Sequence, residues 1–330
     1  MNILITGANG QLGNEMRILS AQHPQHTYIF SDVTTPLPIG VPTTNGSGVR
    51  LREGQEAGLF HPLDITDEAA VCGFVGEHCV DLIVNCAAYT NVDKAEQDEP
   101  TALRINADAV ANLARSGARV IHVSTDYVFS GDEHLPCRED HPVAPRTAYG
   151  RTKLAGEQTL LAIQPDAIIF RTAWLYSEFG NNFVKTMIRL GQTKEEIGVV
   201  YDQIGTPTYA LDLAAAIFAA IDSATKPDGS FNPAGWKGGI YHFTNEGVCS
   251  WYDFTLAIHE IYNSILAHSA QPAAEPIRCK VRPILSEEYQ YLTPRPHYSV
   301  LNKAKVRQTF ALNIPHWRDS LIACLRKMIC

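Results

Sequence analysis

Tyr149 and Lys153, two side chains suited to proton transfer, stand four residues apart near the middle of the chain. The segment around them is predicted to be helical, because Leu154, Ala155 and Leu160 supply apolar positions and good helix formers. Residues four apart leave the same face of a helix. An ammonium beside a phenol favours the phenolate, so Lys153 is expected to lower the pKa of Tyr149 from about 10. Such a tyrosine could pass a proton to or from a reacting oxygen, although this spacing also arises by chance in exposed helices.

A glycine-rich turn near the start of the chain could bind the phosphates of a dinucleotide. Asn2–Thr6 is a short apolar run that predicts a buried parallel strand. Gly7, Gly10 and Gly13 follow it at once, and a helical pattern comes next. Glycines in this position let a pyrophosphate approach the backbone at the helix N-terminus, so the turn predicts cofactor binding. The alternative is a purely structural turn.

Acidic residues follow the next two predicted strands. The strand Thr27–Asp32 ends in an acid about twenty residues after the glycines, where a carboxylate can bind the adenosine ribose and repel a 2′-phosphate. Asp32 therefore favours NADH over NADPH, unless it only caps a turn. Asp64 could reach the adenine or cap a helix.

The bulk composition excludes several classes of protein. The chain has 27 basic and 35 acidic residues and a net charge of −8, which argues against nucleic acid as a partner. No apolar run approaches the ~18 residues that span a membrane, and the N-terminus predicts no export signal. Eight cysteines without a C-x-x-C pair fit reduced thiols in a cytoplasmic protein, so no metal site is predicted.

The elements that must position these residues alternate between strand and helix. Buried strands are predicted over residues 81–90, 119–123 and 167–172, with a helix over about 100–116. This is the doubly wound α/β pattern of a Rossmann fold, in which ligands gather at the C-terminal ends of the parallel strands. Thr125 lies at such an end.

Several motifs in a fixed order resemble the extended short-chain dehydrogenase/reductase family, and within it the branch that reduces dTDP-4-dehydrorhamnose. The motifs are Gly10-Gln11-Leu12-Gly13, Cys86–Glu96, Ser124–Phe129, Tyr149–Lys153, Arg171–Tyr176, Asp202–Thr208 and Arg295-Pro296. The resemblance spans nearly the whole chain and departs most clearly at residues 34–60 and 223–236. The first of these stretches is rich in proline and glycine and predicts a long loop or disordered insertion without chemistry.

The resemblance implies hydride transfer from NADPH or NADH to the C4 ketone of dTDP-4-dehydro-L-rhamnose, a step towards cell-surface polysaccharide. Tyr149 would protonate the new alkoxide, Lys153 would hold the nicotinamide ribose, and Thr125 would hydrogen-bond the carbonyl oxygen. Related dehydratases carry an Asp-Glu pair after the threonine. Tyr127 stands at the position of the second acid, so reduction without dehydration is favoured.

The resemblance also implies two sets of binding residues. The cofactor would contact Gly7, Gly10, Gln11, Leu12, Gly13, Asp32, Asp64, Ile65, Ala87, Ala88, Tyr89, Tyr149 and Lys153. The dTDP-sugar would contact Thr90, Val92, Tyr127, Trp174 and Arg295. Arg295 would hold the diphosphate as a bidentate fork, with an exposed, unpaired Arg as the alternative, and Trp174 would be either a wall for the sugar or a core residue.

The predicted domains are interleaved. Residues 1–173 form the nucleotide-binding domain, with returns near 198–222 and 238–245, and residues 174–330 form a smaller mixed α/β substrate domain. Helices are predicted over 181–190, 209–221, 250–265 and 302–327.

Other functions remain open. One is a non-catalytic, nucleotide-binding regulatory subunit like the partner of methionine adenosyltransferase, and another is a different sugar-nucleotide ketoreductase or epimerase. The chain is expected to be a monomer or homodimer. Glu15 matches a family position linked to a Mg²⁺-bridged dimer, but one carboxylate is not a metal site, and an exposed helical Glu is the preferred interpretation.

Overall fold

A computed structural model of the protein describes residues 1–34, 59–269, 275–290 and 292–329. Nearly all of the predicted insertion at 34–60 lies outside these residues. The strands are β1 Asn2–Thr6, β2 Thr27–Asp32, β3 Leu59–Pro62, β4 Leu82–Asn85, β5 Arg119–Thr125, β6 Ile168–Thr172, β7 Leu175–Tyr176, β8 Glu196–Val200, β9 Ile204–Gly205, β10 Thr208–Tyr209, β11 Gly239–His242, β12 Cys249–Ser250 and β13 Lys280–Ile284. The helices are α1 Gln11–Ser20, α2 Glu68–Glu77, α3 Val92–Gln97, α4 Glu99–Leu103, α5 Ala109–Arg115, α6 Ala148–Ile163, α7 Phe183–Thr193, α8 Ala210–Ser223, α9 Trp251–Ala267, α10 Ala304–Phe310 and α11 Trp317–Ile329.

Seven strands of the described chain form one sheet in the order β11-β6-β5-β4-β1-β2-β3. Every neighbouring pair in this sheet is parallel, which confirms the doubly wound α/β prediction. The C-terminal ends of β1, β4 and β5 therefore meet at one edge, and that edge carries the glycine turn, Ala87 and Thr125.

Both faces of the sheet are covered by helices. On one face α1, α8 and α10 close over a core that includes Ile5, Phe30 and Phe170. On the other face α2, α5 and α6 close over Leu4, Ile83 and Val120. Because the strands are buried on both sides, they are nearly continuous apolar runs, as a parallel sheet requires.

A second core lies beside the sheet. Helices α7, α9 and α11 pack together around Val184, Phe254 and Leu321. The chain crosses between the two cores more than once: β11 lies in the main sheet, and α8 packs against α1. The strand within the predicted return at 198–222 differs from expectation, because β8 pairs with β13 in a separate two-stranded sheet. The domain boundary at residue 173 stays a prediction.

Two helix predictions need correction. The predicted helix 302–327 is two helices, α10 and α11, because Ala311 adopts a left-handed conformation with φ of 51° and Pro315 follows. The predicted helix 100–116 contains a π-helical turn over Arg104–Asp108. Within the part of the chain that is described, no helix is long and apolar enough to cross a membrane.

Candidate active site

The N-terminus of α6 places Tyr149 next to the end of β5. The Thr147 side chain caps the helix by accepting a hydrogen bond from the backbone N–H of Gly150 at 3.0 Å. A Cβ atom on Gly150 would collide with the carbonyl oxygen of Tyr127, so the first turn of α6 lies directly on the segment after β5. The rings of Tyr149 and Tyr127 meet edge to face at 5.4 Å.

Tyr149 is hydrogen-bonded to Thr125, but its pKa does not behave as the sequence predicted. Burial raises the pKa of Tyr149 to about 12, and the hydrogen bond with the Thr125 side chain offsets only part of that effect. The predicted lowering by Lys153 is wrong for this state of the protein. Tyr149 therefore holds its proton at neutral pH, which suits a proton donor.

The Lys153 ammonium makes its hydrogen bonds within a buried polar network. It donates to the carbonyl oxygen of Val123 at 2.7 Å and lies 3.2 Å from Nε2 of His122. His122 Nδ1 in turn lies 3.0 Å from the side-chain nitrogen of Asn85. Asn85 Oδ1 accepts hydrogen bonds from Thr6 and from the backbone of Ala87. The network thus joins β1, β4, β5 and α6 behind the site.

The hydrogen-bond pattern of this network shows which ring nitrogen of His122 carries the proton. Since Asn85 Oδ1 faces two donors, its amide nitrogen must donate to His122 Nδ1, and a neutral His122 then carries its proton on Nε2. That proton points at Lys153. Burial lowers the pKa of Lys153 to about 8, and the facing N–H of His122 acts in the same direction.

A buried ion pair fixes α6 on the sheet. Arg171 of β6 donates to both carboxylate oxygens of Glu157, at 2.9 and 2.6 Å, and both side chains are almost fully buried. Glu157 lies one turn after Lys153, on the same face of α6. The pair therefore sets the rotation of the helix that presents Tyr149 and Lys153.

The glycine turn has the close approaches that a dinucleotide site needs. Gly7 has φ of 65°, and a Cβ there would come within 2.6 Å of the backbone nitrogen of Ala87. A Cβ on Gly13 would collide with the carbonyl oxygen of Gly7. The turn is thus pressed against α1 and the end of β4, which leaves its backbone open to a pyrophosphate at the N-terminus of α1.

Asp32 lies at the end of β2, as predicted, and supports the same turn. Its carboxylate accepts hydrogen bonds from the backbone nitrogens of Asn9 and Val33 at 3.0 and 2.8 Å. It therefore holds the glycine turn in place. These hydrogen bonds agree with the alternative that Asp32 caps a turn. They do not prevent the carboxylate from also binding the adenosine ribose.

Asp64 and Ile65, two of the remaining predicted cofactor residues, follow β3. Asp64 is exposed and accepts hydrogen bonds from the backbone and hydroxyl of Thr66 at 2.9 and 2.8 Å, which stabilise a turn, whereas the cap of α2 is Asp67. Its contact with the adenine stays a prediction. Ile65 is buried in the core under α2 and α5.

Ala87, Ala88 and Tyr89 follow β4 at the active edge. Asn106 holds this loop through hydrogen bonds with both the N–H and the carbonyl of Tyr89, at 2.8 and 3.1 Å. The Asn106 amide also donates to Thr152 of α6. The π-helical turn that contains Asn106 thus ties the cofactor loop to the helix of Tyr149 and Lys153.

Gln11 and Leu12 open α1 behind the glycine turn. Gln11 Oε1 accepts a hydrogen bond from Asn182 at 2.9 Å, which links the turn to the second core, and Leu12 is buried under the sheet.

A cavity of about 240 Å³ follows the end of β5, where Asp126 lines it, and three predicted sugar residues also line it: Tyr127, Trp174 and Arg295. Trp174 stacks on Trp251 with ring centres 3.5 Å apart. Trp174 has a positive φ of 50°, a conformation that tryptophan rarely adopts. A Cβ on Gly205 would come within 2.5 Å of its indole ring, so the strand at Gly205 makes room for it. These contacts favour the sugar wall over the plain core residue.

Arg295 is half-buried and paired, so the exposed, unpaired alternative is wrong. It donates to the carboxylate of Asp93 in α3 at 2.9 Å. It also borders a second cleft of about 490 Å³ with Gln203 and His297. Thr90 and Val92 lie just before Asp93, so the predicted substrate residues of two distant segments meet through this ion pair.

Sequence reasoning missed three residues at the site. The first is Trp251, which stacks on Trp174 and lines the cavity. His122 and Asp126 were not assigned any role, although His122 backs Lys153 and Asp126 lines the cavity. The available signal was that His122 and Asp126 flank Ser124-Thr125 at the end of a strand.

Glu15 is fully buried, so the prediction of an exposed helical glutamate is wrong. It accepts a hydrogen bond from Ser177 at 2.7 Å and shares a proton with Glu178, and burial raises its pKa to about 9. Glu178 forms an ion pair with Lys327 at 3.1 Å. Lys327 supplies the positive charge here, and a protonated Glu15 is a poor metal ligand. These residues therefore do not fit Mg²⁺, and the oligomeric state stays a prediction.

The chain is similar to known proteins in both sequence and structure. The family model described as RmlD substrate binding domain matches residues 1–330. A dTDP-4-dehydrorhamnose reductase of Aggregatibacter actinomycetemcomitans is 34% identical over 323 residues, covering 97% of this chain and 96% of that protein. A probable dTDP-4,6-dihydroxy-2-methyloxan-3-one 4-ketoreductase of Streptomyces antibioticus is 42% identical over 281 residues, covering 82% of this chain and 87% of that protein. The crystal structure of a dTDP-4-dehydrorhamnose reductase from Bacillus anthracis in complex with NADP is similar with a TM-score of 0.75 and 34% identity, covering 98% of both chains.

Proposed function

We propose that this chain, which belongs to the RmlD substrate binding domain family, is a dTDP-4-dehydrorhamnose reductase. It reduces the C4 ketone of dTDP-4-dehydro-L-rhamnose to the alcohol of dTDP-L-rhamnose, with hydride from NADPH or NADH. Family membership over the whole chain and the names of the relatives support this assignment.

The observation that carries the proposal is a proton donor in contact with a residue that lines a cavity. Tyr149 is hydrogen-bonded to Thr125, keeps its proton at neutral pH, and packs against Tyr127, which lines the cavity. Trp174 and Arg295 supply, from the same cavity, an aromatic wall for a sugar and a guanidinium for a diphosphate. A ketone oxygen held beside Tyr149 would meet the phenol O–H as its donor, and the Thr125 hydroxyl would reach it by turning its proton from Asp126.

The residues present fit a nicotinamide dinucleotide. The glycine turn would hold the pyrophosphate at the N-terminus of α1, Asp32 would face the adenosine ribose, and Lys153 would reach the nicotinamide ribose. When bound, the reduced cofactor supplies the hydride for C4. Free thiols at seven cysteines of the described residues support placing the reaction in the reducing cytoplasm.

The protein residues then act on the oxygen. Thr125 hydrogen-bonds the carbonyl and polarises it, and Tyr149 gives its proton to the C4 oxygen as negative charge develops there. Asp126 is followed by Tyr127 rather than by a second acid, so the pair of carboxyl groups that related dehydratases use to eliminate water is incomplete.

The test is oxidation of NADPH and NADH, followed by absorbance, with dTDP-4-dehydro-L-rhamnose generated in situ. Oxidation that depends on the sugar, with dTDP-L-rhamnose identified as the product by NMR, is the expected result. The ratio of the two rates tests whether Asp32 selects NADH. Tight cofactor binding without oxidation would contradict the proposal and favour a regulatory, nucleotide-binding subunit.

A second candidate is a reductase for another dTDP-4-ketosugar. The specific observation is the 42% identity to the probable 4-ketoreductase of Streptomyces antibioticus, whose named substrate is a different dTDP-ketosugar. Competing the two ketosugars in one assay and comparing kcat/KM separates these candidates.

A further inference from the structure

Asp126 is a buried acid next to Thr125, the hydrogen-bond partner of Tyr149, and one of its two carboxylate oxygens has no hydrogen-bond partner among the described residues. It follows Thr125 directly, and only 4% of the residue is exposed. The Thr125 hydroxyl donates to its Oδ1 at 2.9 Å. Its Oδ2 is buried and has no hydrogen-bond partner among the described residues, and the side chain lines the 240 Å³ cavity. A buried polar oxygen without a partner is costly, so this acid has a use besides holding Thr125.

The surroundings of Asp126 keep both of its protonation states accessible. Burial raises the pKa of Asp126 to about 7, against hydrogen bonds from the Thr125 side chain and from backbone N–H groups that act to lower it. The Tyr149 hydroxyl on α6 and the Cys137 thiol interact with it electrostatically, and Arg295 lines the same cavity. Near neutral pH this carboxyl group can both give and take a proton.

Thr125 connects this acid to Tyr149. The Thr125 hydroxyl is hydrogen-bonded both to Tyr149 and to Asp126 Oδ1. In the described part of the chain, the partners of the Lys153 ammonium are His122 and Val123, not Tyr149. The side-chain connection from Tyr149 therefore leads through Thr125 to Asp126.

We propose that Asp126 is a proton reservoir that restores the proton of Tyr149, through the Thr125 hydroxyl, after each reduction. This inference rests on the proposed function. In the reduction, the Tyr149 O–H bond breaks and its proton goes to the C4 oxygen, while C4 receives the hydride. The phenolate then takes the Thr125 hydroxyl proton, Thr125 takes the carboxyl proton of Asp126, and the Asp126 carboxylate is reprotonated by a hydronium ion or buffer acid from the solvent, which is the one proton that the reduction consumes. No oxidant or reductant is needed for this return.

The test is Asp126→Asn, which keeps an oxygen that can accept from Thr125 but cannot release a proton as a carboxyl group does. Tyr149 of the resting variant still holds its own proton, so the first turnover is expected to run at the wild-type rate. Later turnovers are expected to be slower by about 10²-fold or more. Stopped-flow absorbance would then show a burst of one NADPH oxidised per site, followed by a slow phase. Asp140→Asn, an exposed carboxylate paired with Arg138, is the matched control and should behave as wild type.

The pH dependence of kcat distinguishes a proton reservoir from a structural role, because a purely structural Asp126 would not change the shape of the profile. The wild-type kcat is expected to fall as pH rises through about 7, where Asp126 loses its proton. This fall should be absent in Asp126→Asn. If that variant does not fold, as judged by circular dichroism, Thr125→Val interrupts the same path with a similar shape and should also lose the fall. Equal slowing of first and later turnovers, or an unchanged pH profile, overturns the proposal.

An infrared titration tests the reservoir without substrate. The carbonyl band of a protonated carboxyl group should titrate near pH 7 in wild type and in Glu15→Gln, and should be missing from Asp126→Asn. Absence of this band from wild type overturns the proposal whatever the sugar is. Failure of the proposed function looks different, because wild type itself would then leave NADPH unoxidised with dTDP-4-dehydro-L-rhamnose.

Discussion

At the scale of single residues, Tyr149 and Lys153 have different hydrogen-bond partners, although the Tyr-x-x-x-Lys spacing predicted that they act on each other. Tyr149 is hydrogen-bonded to Thr125, and the Lys153 ammonium contacts His122 and Val123. Burial acts on both side chains in opposite senses, raising the pKa of the phenol and lowering that of the ammonium.

The first residue-scale prediction concerns Tyr149→Phe. The change removes the proton donor and keeps the ring that packs on Tyr127, so kcat should fall by roughly 10²–10⁴-fold. Cofactor affinity, measured by isothermal titration calorimetry, should stay within a few-fold of wild type. Near-wild-type turnover would contradict the role of Tyr149 as the acid.

The second residue-scale prediction concerns the pH dependence of cofactor binding. Lys153 is charged below its pKa of about 8 and loses that charge as pH rises, so cofactor affinity should weaken between pH 7 and pH 9. In Lys153→Met, affinity should be weak at both values and independent of pH over this range. Titration calorimetry at a series of pH values checks this, and the same pH dependence in the variant would rule out Lys153 as its source.

At the scale of elements, α6 is the part of the fold on which the chemistry depends. The Thr147 cap sets its start, the close approach of Gly150 to Tyr127 sets its distance from β5, and Asn106 ties it to the cofactor loop. The Arg171–Glu157 pair sets its rotation. A helix held at four points can keep a phenol in hydrogen-bond geometry with Thr125 without help from a ligand.

The element-scale prediction concerns the Arg171–Glu157 pair. Glu157→Gln leaves the buried Arg171 without its counter-charge, so the free energy of unfolding should fall by about 3–5 kcal/mol. The double variant Glu157→Leu with Arg171→Met removes both charges and should be less destabilised than Glu157→Gln alone. Urea unfolding monitored by circular dichroism measures both. A double variant as unstable as the single one would mean that packing, not charge, dominates at this position.

At the scale of the whole molecule, one carboxyl pair joins the two cores. Glu15 lies on α1 beside the glycine turn, whereas Glu178 and Lys327 belong to the second core. Burial acts to raise the pKa of Glu178, but the hydrogen bond from Glu15 and the Lys327 ammonium outweigh it, so the net pKa is lowered. The contact therefore joins a protonated Glu15 to an ionised Glu178, which also forms an ion pair with Lys327.

The whole-molecule prediction is Lys327→Met. A lowered folded pKa for Glu178 contributes stability that is present above the unfolded pKa and lost as pH falls through the folded pKa. Removing Lys327 should therefore cost about 1 kcal/mol at pH 7.5, since the ammonium is partly exposed, and much less well below pH 4.5, once Glu178 is protonated in the folded protein. Thermal unfolding at both pH values measures this. Lys194→Met changes an exposed lysine that forms no ion pair with the described residues, and it is the control for loss of a charge. Equal losses for Lys327→Met at the two pH values would contradict the assignment.

The local sequence by itself determined most strands of the main sheet, most helices and the doubly wound parallel class, because continuous apolar runs, glycine turns and caps such as Asp67 and Ser250 act over a few residues. Motif order likewise indicated the family and the Thr125–Tyr149–Lys153 set. Only the tertiary structure decided the burial of Glu15, the partner of Arg295, and the network from Thr6 to Lys153. These depend on segments far apart in the chain, as Arg295 and Asp93 are. The pKa of Tyr149 was decided in the same way, because desolvation by the folded protein raises it, and spacing along the sequence does not reveal how deeply a side chain is buried.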